Sequence, residues 1–226
     1  MFKGLGLFFI LSMIVRNPFL AIILLFVIYA IMDKAYFGFL PDFLAPLKRN
    51  SRINTLLKEL GVNPANADAA QELGILFYEK KRYDRALEYL KMAAKKVENS
   101  ARLYLYIGMA YFELDRSEEG AEILSRALEL DRRTGHGLPY IYLLRYELER
   151  PGQSPEKVRK LEEGLGNFES TENHFRMGMV YKRHGNREKA KEMFRQALDD
   201  YSYVPGRMRK IHRKWAFLAR LNLYFT

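Results

Sequence analysis

The distribution of apolar and polar positions divides the chain into two stretches of different character. Residues 4 to 15 are uncharged and rich in Leu, Phe and Ile, and after Arg16, Asn17 and Pro18 a second apolar run extends from Phe19 to Met32. Beyond residue 48 apolar residues recur every three or four positions between charged ones, as amphipathic helices require. The pattern predicts an all-α chain: a membrane segment over 1–47, a helical cap or linker over 48–66, a helical body over 67–204 and a final helix over 205–226.

Neither apolar run reaches the ~20 residues needed to cross about 30 Å of hydrocarbon. One straight helix through both would set Arg16 near the bilayer centre at roughly 2.5 to 3.5 kcal/mol, and Pro18 would break it. Two arrangements remain. One is a single crossing from Pro18 to Leu40, with Asp33 and Lys34 near one interface and Gly4 to Val15 lying in the other; the second is a helical hairpin turning at Arg16-Asn17-Pro18. Lys34, Lys48, Arg49 and Arg52 outnumber Arg16, which places the body of the chain on the cytoplasmic side of a cell membrane. Tyr36, Phe37, Phe39 and Phe43, interleaved with Pro41 and Pro46, suit an interfacial aromatic belt. Lys3 and the first run also fit the start of a secretory signal, but no small-x-small cleavage site follows Val15.

Alignment of the body on its glycines reveals a repeat. Leu73-Gly74-x-x-Phe77 recurs as Ile107-Gly108-x-x-Tyr111 and as Met177-Gly178-x-x-Tyr181, with the glycines 34 and then 70 residues apart, so the second gap holds two units. Twelve residues after each glycine stands a small residue (Ala86, Gly120, Ala190), sixteen after it a large apolar one (Leu90, Leu124, Phe194) and nineteen after it an alanine (Ala93, Ala127, Ala197). Small residues let two helix backbones approach, the large ones fill between them, and a single pair must stack on neighbours to bury its faces.

This pattern resembles the tetratricopeptide repeat, a 34-residue unit of two antiparallel helices. The resemblance covers about 67–204, with three good copies and a degenerate third, where Tyr142 stands at the glycine position and the turn from Glu149 to Pro155 is long. The helices of that unit read from Leu138, Ile141, Leu144 and Leu148 and from Val158, Leu161, Leu165 and Phe168, with Ser154 as N-cap and Pro155 at the first helical position. Ile53, Leu56, Leu57 and Leu60 predict a helix ahead of the repeats, and Met208, Ile211, Trp215 and Leu218 predict a stripe on the final helix that covers the last one.

Chemistry is sparse. The absence of cysteine excludes disulfides, a thiol nucleophile and cysteine-ligated metals. His136, His174, His184 and His212 stand in no metal-binding spacing, and Gly4-x-Gly6 and Gly164-x-Gly166 continue into no phosphate-binding fingerprint. No catalytic constellation, metal or cofactor is expected. The resemblance instead implies a concave groove lined by the first helix of each pair, here Ile75, Tyr78, Leu105, Met109, Phe112, Leu143, Tyr146, Phe175, Met179, Lys182 and Arg183. Exposed Met and aromatic residues suit a peptide of tolerant sequence, whereas a tightly wound solenoid or a final helix folded into the groove would hide them. The carboxylate clamp of chaperone-binding repeats is not matched, since Gln71, Ile75, Tyr106, His136 and Tyr140 stand at its positions.

The formal net charge is +10, and Arg207, Arg209, Lys210, Arg213, Lys214 and Arg220 supply six of it in a tail without an acidic residue. Anionic lipid or nucleic acid would suit that tail. Together these features lead to the expectation of a bacterial-type, membrane-anchored, non-enzymatic adaptor that holds a peptide or a subunit of a membrane complex. The alternatives are a fixed structural subunit or assembly factor of such a complex, and lipid or nucleic-acid binding through the tail.

Overall fold

The computed structural model describes residues 12, 13, 15–32 and 45–226, which fall into two compact units, Met1–Lys48 and Arg49–Thr226. In the first, residues 12, 13 and 15 are helical, Arg16 takes a left-handed φ of 50°, and α1 (Pro18–Met32) begins anew. The break expected at Pro18 is therefore present. Asn17 caps α1 by accepting from the Phe19 and Leu20 amides at 3.0 and 3.4 Å. The 15 residues of α1 rise only about 22 Å, and among the described residues no helix is long and apolar enough to cross a membrane. Most of the first apolar run, the charges Asp33 and Lys34 and the aromatic belt lie outside the described residues. What α1 does show is apolar exposure: Phe19, Leu20, Ile22, Ile23, Phe26, Val27 and Tyr29 are all exposed, and Ala21 is buried.

The second unit is built of helices throughout its described residues. α2 (Ala45–Val62) is followed by four helical pairs: α3 (Ala67–Glu79) with α4 (Tyr83–Ala94), α5 (Ala101–Glu113) with α6 (Ser117–Leu130), α7 (Leu138–Glu149) with α8 (Pro155–Leu165), and α9 (Thr171–Arg183) with α10 (Arg187–Tyr203). α11 (Arg209–Phe225) closes the stack. α2 buries Ile53, Leu56 and Leu60 against the first pair, with Leu57 partly exposed, and Arg52 clasps Glu72 through two bonds of 2.5 and 2.6 Å.

The glycine columns have a steric cause. A Cβ at Gly74, Gly108 or Gly178 would stand 2.5–2.6 Å from Leu90, Leu124 or Phe194 on the second helix of the same pair. The third pair reaches the same closeness from the opposite side, because Gly164 on α8 receives the ring of Tyr140 on α7. Tyr142, at the expected glycine position, instead faces Phe112 of the preceding pair, with ring centroids 5.2 Å apart. Ser154 caps α8 through the Lys157 amide and Pro155 opens it, as expected.

Two further periodicities emerge at the helix ends. Asn66, Ser100 and Ser170 accept the backbone amides of Ala69, Leu103 and Asn173, each capping a first helix at the spacing of the glycines. Lys81, Asp115 and Gly185 take left-handed φ of 58°, 58° and 85° in the turn between the helices of their pairs, again at that spacing. Only the last is glycine, so the first two turns carry steric strain.

α11 covers the last pair with the second half of the expected stripe, Trp215 and Leu218, and not with its first half. Ala216 and Ala219 are buried and Trp215, Leu218 and Leu223 half-buried, whereas Met208 and Ile211 are exposed. Ala216 and Ala219 let the helix axes approach closely.

Candidate functional site

The predicted groove positions do not form one exposed strip. Ile75, Leu105, Met109, Phe112 and Phe175 are all less than 9% exposed, and Leu143 is 9% exposed. Leu105, Met109, Phe112 and Leu143 belong to one core cluster with Leu124, over which Tyr78, Tyr106, Tyr142 and Tyr146 pack. Successive pairs thus fill the groove with their own aromatic rings, the closed arrangement that tight stacking allows. Leu143 and Tyr146 also stand apart from the rest of the predicted strip. They line a separate cavity of about 530 Å³ with Ala121, Glu122 and Lys157. Tyr142 and Arg145, one residue earlier and one turn on the same face, take the concave positions in the third pair.

An opening remains at the third and fourth pairs. A cavity of about 520 Å³ has Ile141, Tyr142, Phe175, Met179, Val180 and Trp215 among its walls, with Arg145, Arg176, Lys182, Arg183 and Glu113 at its polar edge. Four of the predicted groove residues, Phe175, Met179, Lys182 and Arg183, come together here. Met179 is 40% exposed, while Ile75 and Met109, its equivalents in the first and second pairs, are 7% and 4% exposed. Phe175 is covered by Trp215 of α11 at a centroid distance of 5.5 Å. Tyr142, Arg145, Arg176 and Trp215 were not among the predicted site residues. Tyr142 carried a signal, since a tyrosine replaced a glycine; Trp215 was assigned only to the capping stripe.

The polar edge is held by its own network. Arg176 donates to Glu172 at 2.8 Å and stacks over Trp215 at 4.9 Å. Arg145 donates to Glu149 at 3.1 Å, Arg183 lies 3.9 Å from the same carboxylate, and Lys182 donates to Asn222 of α11 at 3.1 Å. Each guanidinium keeps donors beyond those bonds. On the α5 side Tyr142 donates to Glu113 at 3.2 Å, and Tyr78 lies 3.4 Å from the Tyr142 hydroxyl. Burial pushes the Tyr78 and Tyr142 hydroxyls above the usual phenol range, and burial together with Glu113 does the same for Tyr83. All three are neutral donors at physiological pH. The cavity can therefore take an apolar side chain against its floor and carboxylates at its rim.

Other polar clusters are internal ties. The Asn173 side chain donates to the His136 and Phe168 carbonyls, pinning the turn before α7 to the end of α8. Buried Glu147 accepts from Arg150 and from the Ser154 amide. His174 pairs with Asp200 at 2.6 Å. Among the described residues no group of three His, Asp or Glu side chains could hold a metal ion. In the tail, Arg209 donates to the Val204 and Ser202 carbonyls and Lys214 lies over the Trp215 ring, while Arg207 and Arg220 are exposed.

A family profile described as tetratricopeptide repeat matches residues 53–101 and 72–133, and a second of the same description matches 172–202. Among solved structures, one titled "Crystal structure of MamA" is similar with a TM-score of 0.53 at 24% identity, covering 66% of this chain and 86% of its own. A second, titled "Crystal structure of YrrB: a TPR protein with an unusual peptide-binding site", has a TM-score of 0.53 at 19% identity, covering 76% and 87%. No curated protein sequence matches the chain. At these identities the structural likeness establishes the fold alone.

Proposed function

From its place as a tetratricopeptide-repeat protein, we propose that the chain is a non-enzymatic adaptor that seats a partner protein's segment in the cavity between the third and fourth helical pairs. The observation that carries this is the contrast at one repeat position: the cavity bares Met179 where the equivalent Ile75 and Met109 are sealed. Its apolar floor and arginine-rich edge suit a segment with one large apolar side chain flanked by carboxylates. YrrB, a structural neighbour, is described as having an unusual peptide-binding site, which agrees in kind.

We further propose that the adaptor works at a membrane, with its repeats on the cytoplasmic side and its partner a membrane protein or a subunit of a membrane complex. The support is the uncharged, apolar surface of α1 and the excess of basic residues after it. Binding beside a membrane raises the effective concentration of a membrane-bound partner without any added contact.

Trp215 is the chain's sole tryptophan and lines the cavity, so its fluorescence reports occupancy directly. Full-length protein titrated with short acidic peptides bearing one Phe should give a saturable change, absent for the same peptides with Lys in place of the acids. Met179→Glu should weaken that binding at least tenfold. Equal response to acidic and basic peptides, or none to either, would overturn the assignment of the cavity.

A further inference from the structure

We propose that the outward face of α11 lies on an anionic lipid surface, a contact separate from the cavity and independent of what fills it. α11 has two long faces. Trp215, Ala216, Ala219 and Leu223 turn toward α9 and α10, and along the opposite side, at steps of four, three, four and three residues, run Lys210, Lys214, Phe217, Leu221 and Tyr224. The outward line is basic in its first half and apolar in its second. Phe217, Tyr224 and the neighbouring Phe225 are 65%, 85% and 69% exposed, more than any capping role needs.

The charge decides among occupants. From Pro205 to Thr226 there are six basic residues and no acidic one. Two copies meeting on this face would each bring this uncompensated positive charge into one contact, with no carboxylate on either side to offset it, which self-association disfavours. An anionic bilayer satisfies both halves at once. Aromatic rings settle at the level of the headgroups and glycerol backbone, and Arg207, Lys214 and Arg220 extend to phosphates and carboxylates while their methylene stems cover apolar surface. The helix axis then lies in the plane of the interface, with the cap of the solenoid beneath it unchanged.

A local readout is needed because α1 carries apolar surface of its own. The chain contains no cysteine, so Phe217→Cys or Tyr224→Cys gives a single site for an environment-sensitive fluorophore on the full-length protein, with Glu188→Cys on α10 as the reference site. Vesicles of phosphatidylcholine containing about 30% phosphatidylserine should shift both α11 probes to the blue and leave the reference unchanged, and neutral vesicles should shift none. Removing the charges in Arg207→Gln/Lys214→Gln/Arg220→Gln should weaken the shift roughly tenfold or more, as should salt that shortens the screening length to about 3 Å. Two labelled sites guard against one substitution disturbing the helix, which circular dichroism would register. The proposal is overturned if the α11 probes respond equally to neutral vesicles. It is also overturned if they respond to short duplex DNA and not to vesicles, or shift with protein concentration alone, the mark of a contact between copies.

Discussion

The second and fourth helical pairs share a repeat and differ in what stands next to them. In the second, Met109 and Phe112 lie under Tyr142 and the rest of α7, and the groove surface has become core. In the fourth, the neighbour is α11, which contributes Trp215 over Phe175 and alanines at its closest approach, and Met179 stays in contact with solvent. Position within a repeat therefore sets which way a side chain points, and the next element sets whether it is a surface. A groove inferred from one repeat's register holds only where no bulky ring from the following repeat fills it.

A charge placed at both positions separates the two environments most strongly. Met109→Lys buries an unpaired ammonium and should cost about 4 kcal/mol or more, enough to unfold a marginal domain, whereas Met179→Lys should stay within about 1 kcal/mol. Denaturant titration of the two variants separates them, and similar losses would mean that the two environments are alike. A smaller test sits in the turns. Gly185→Ala forces a Cβ into a left-handed residue and should destabilise by about 1 to 2 kcal/mol, while Lys81→Gly at the equivalent turn should gain up to about 1 kcal/mol. Thermal unfolding midpoints moving in opposite directions would confirm that only the later turn is relaxed.

The smallest expected effect is a pH dependence at the first pair. The Arg52 guanidinium holds the Glu72 carboxyl below the usual carboxylate range. A depressed folded-state pKa contributes stability above the unfolded value, near the ordinary 4.5, that is lost as the pH falls through the lower folded value. Arg52→Gln should remove that contribution, so the variant lies below the parent at pH values above the ordinary 4.5, by a small margin since the pair is exposed, and the two converge as the pH falls through the folded value.

Much of the fold was legible because close helix crossings demand small residues at fixed intervals, and Gly74, Gly108, Gly178 and the alanines of the second helices record that demand. The third pair was less legible because its small residue moved to the partner helix, where Gly164 serves Tyr140; spacing along one helix cannot reveal an exchange between two. The left-handed turns escaped notice since Lys81 and Asp115 do not advertise positive φ. For the candidate cavity, repeat register puts Phe175, Met179, Lys182 and Arg183 on one face, but it does not give their burial, which depends on the rings the next element supplies. Tyr142 and Arg145, one turn apart on α7, meet Trp215 of α11 at the cavity, and no local pattern joins those two helices.

The repeats' concave surface is sealed at the second pair and open at the fourth. The natural absence of cysteine makes this directly measurable, by comparing the rates at which a soluble maleimide labels Met109→Cys and Met179→Cys in otherwise unaltered, natively folded protein. This contrast in burial should give rapid labelling at 179, near the rate of a free thiol, and protection of roughly a hundredfold or more at 109, since reaction there waits on local opening. Comparable rates at the two positions would contradict it.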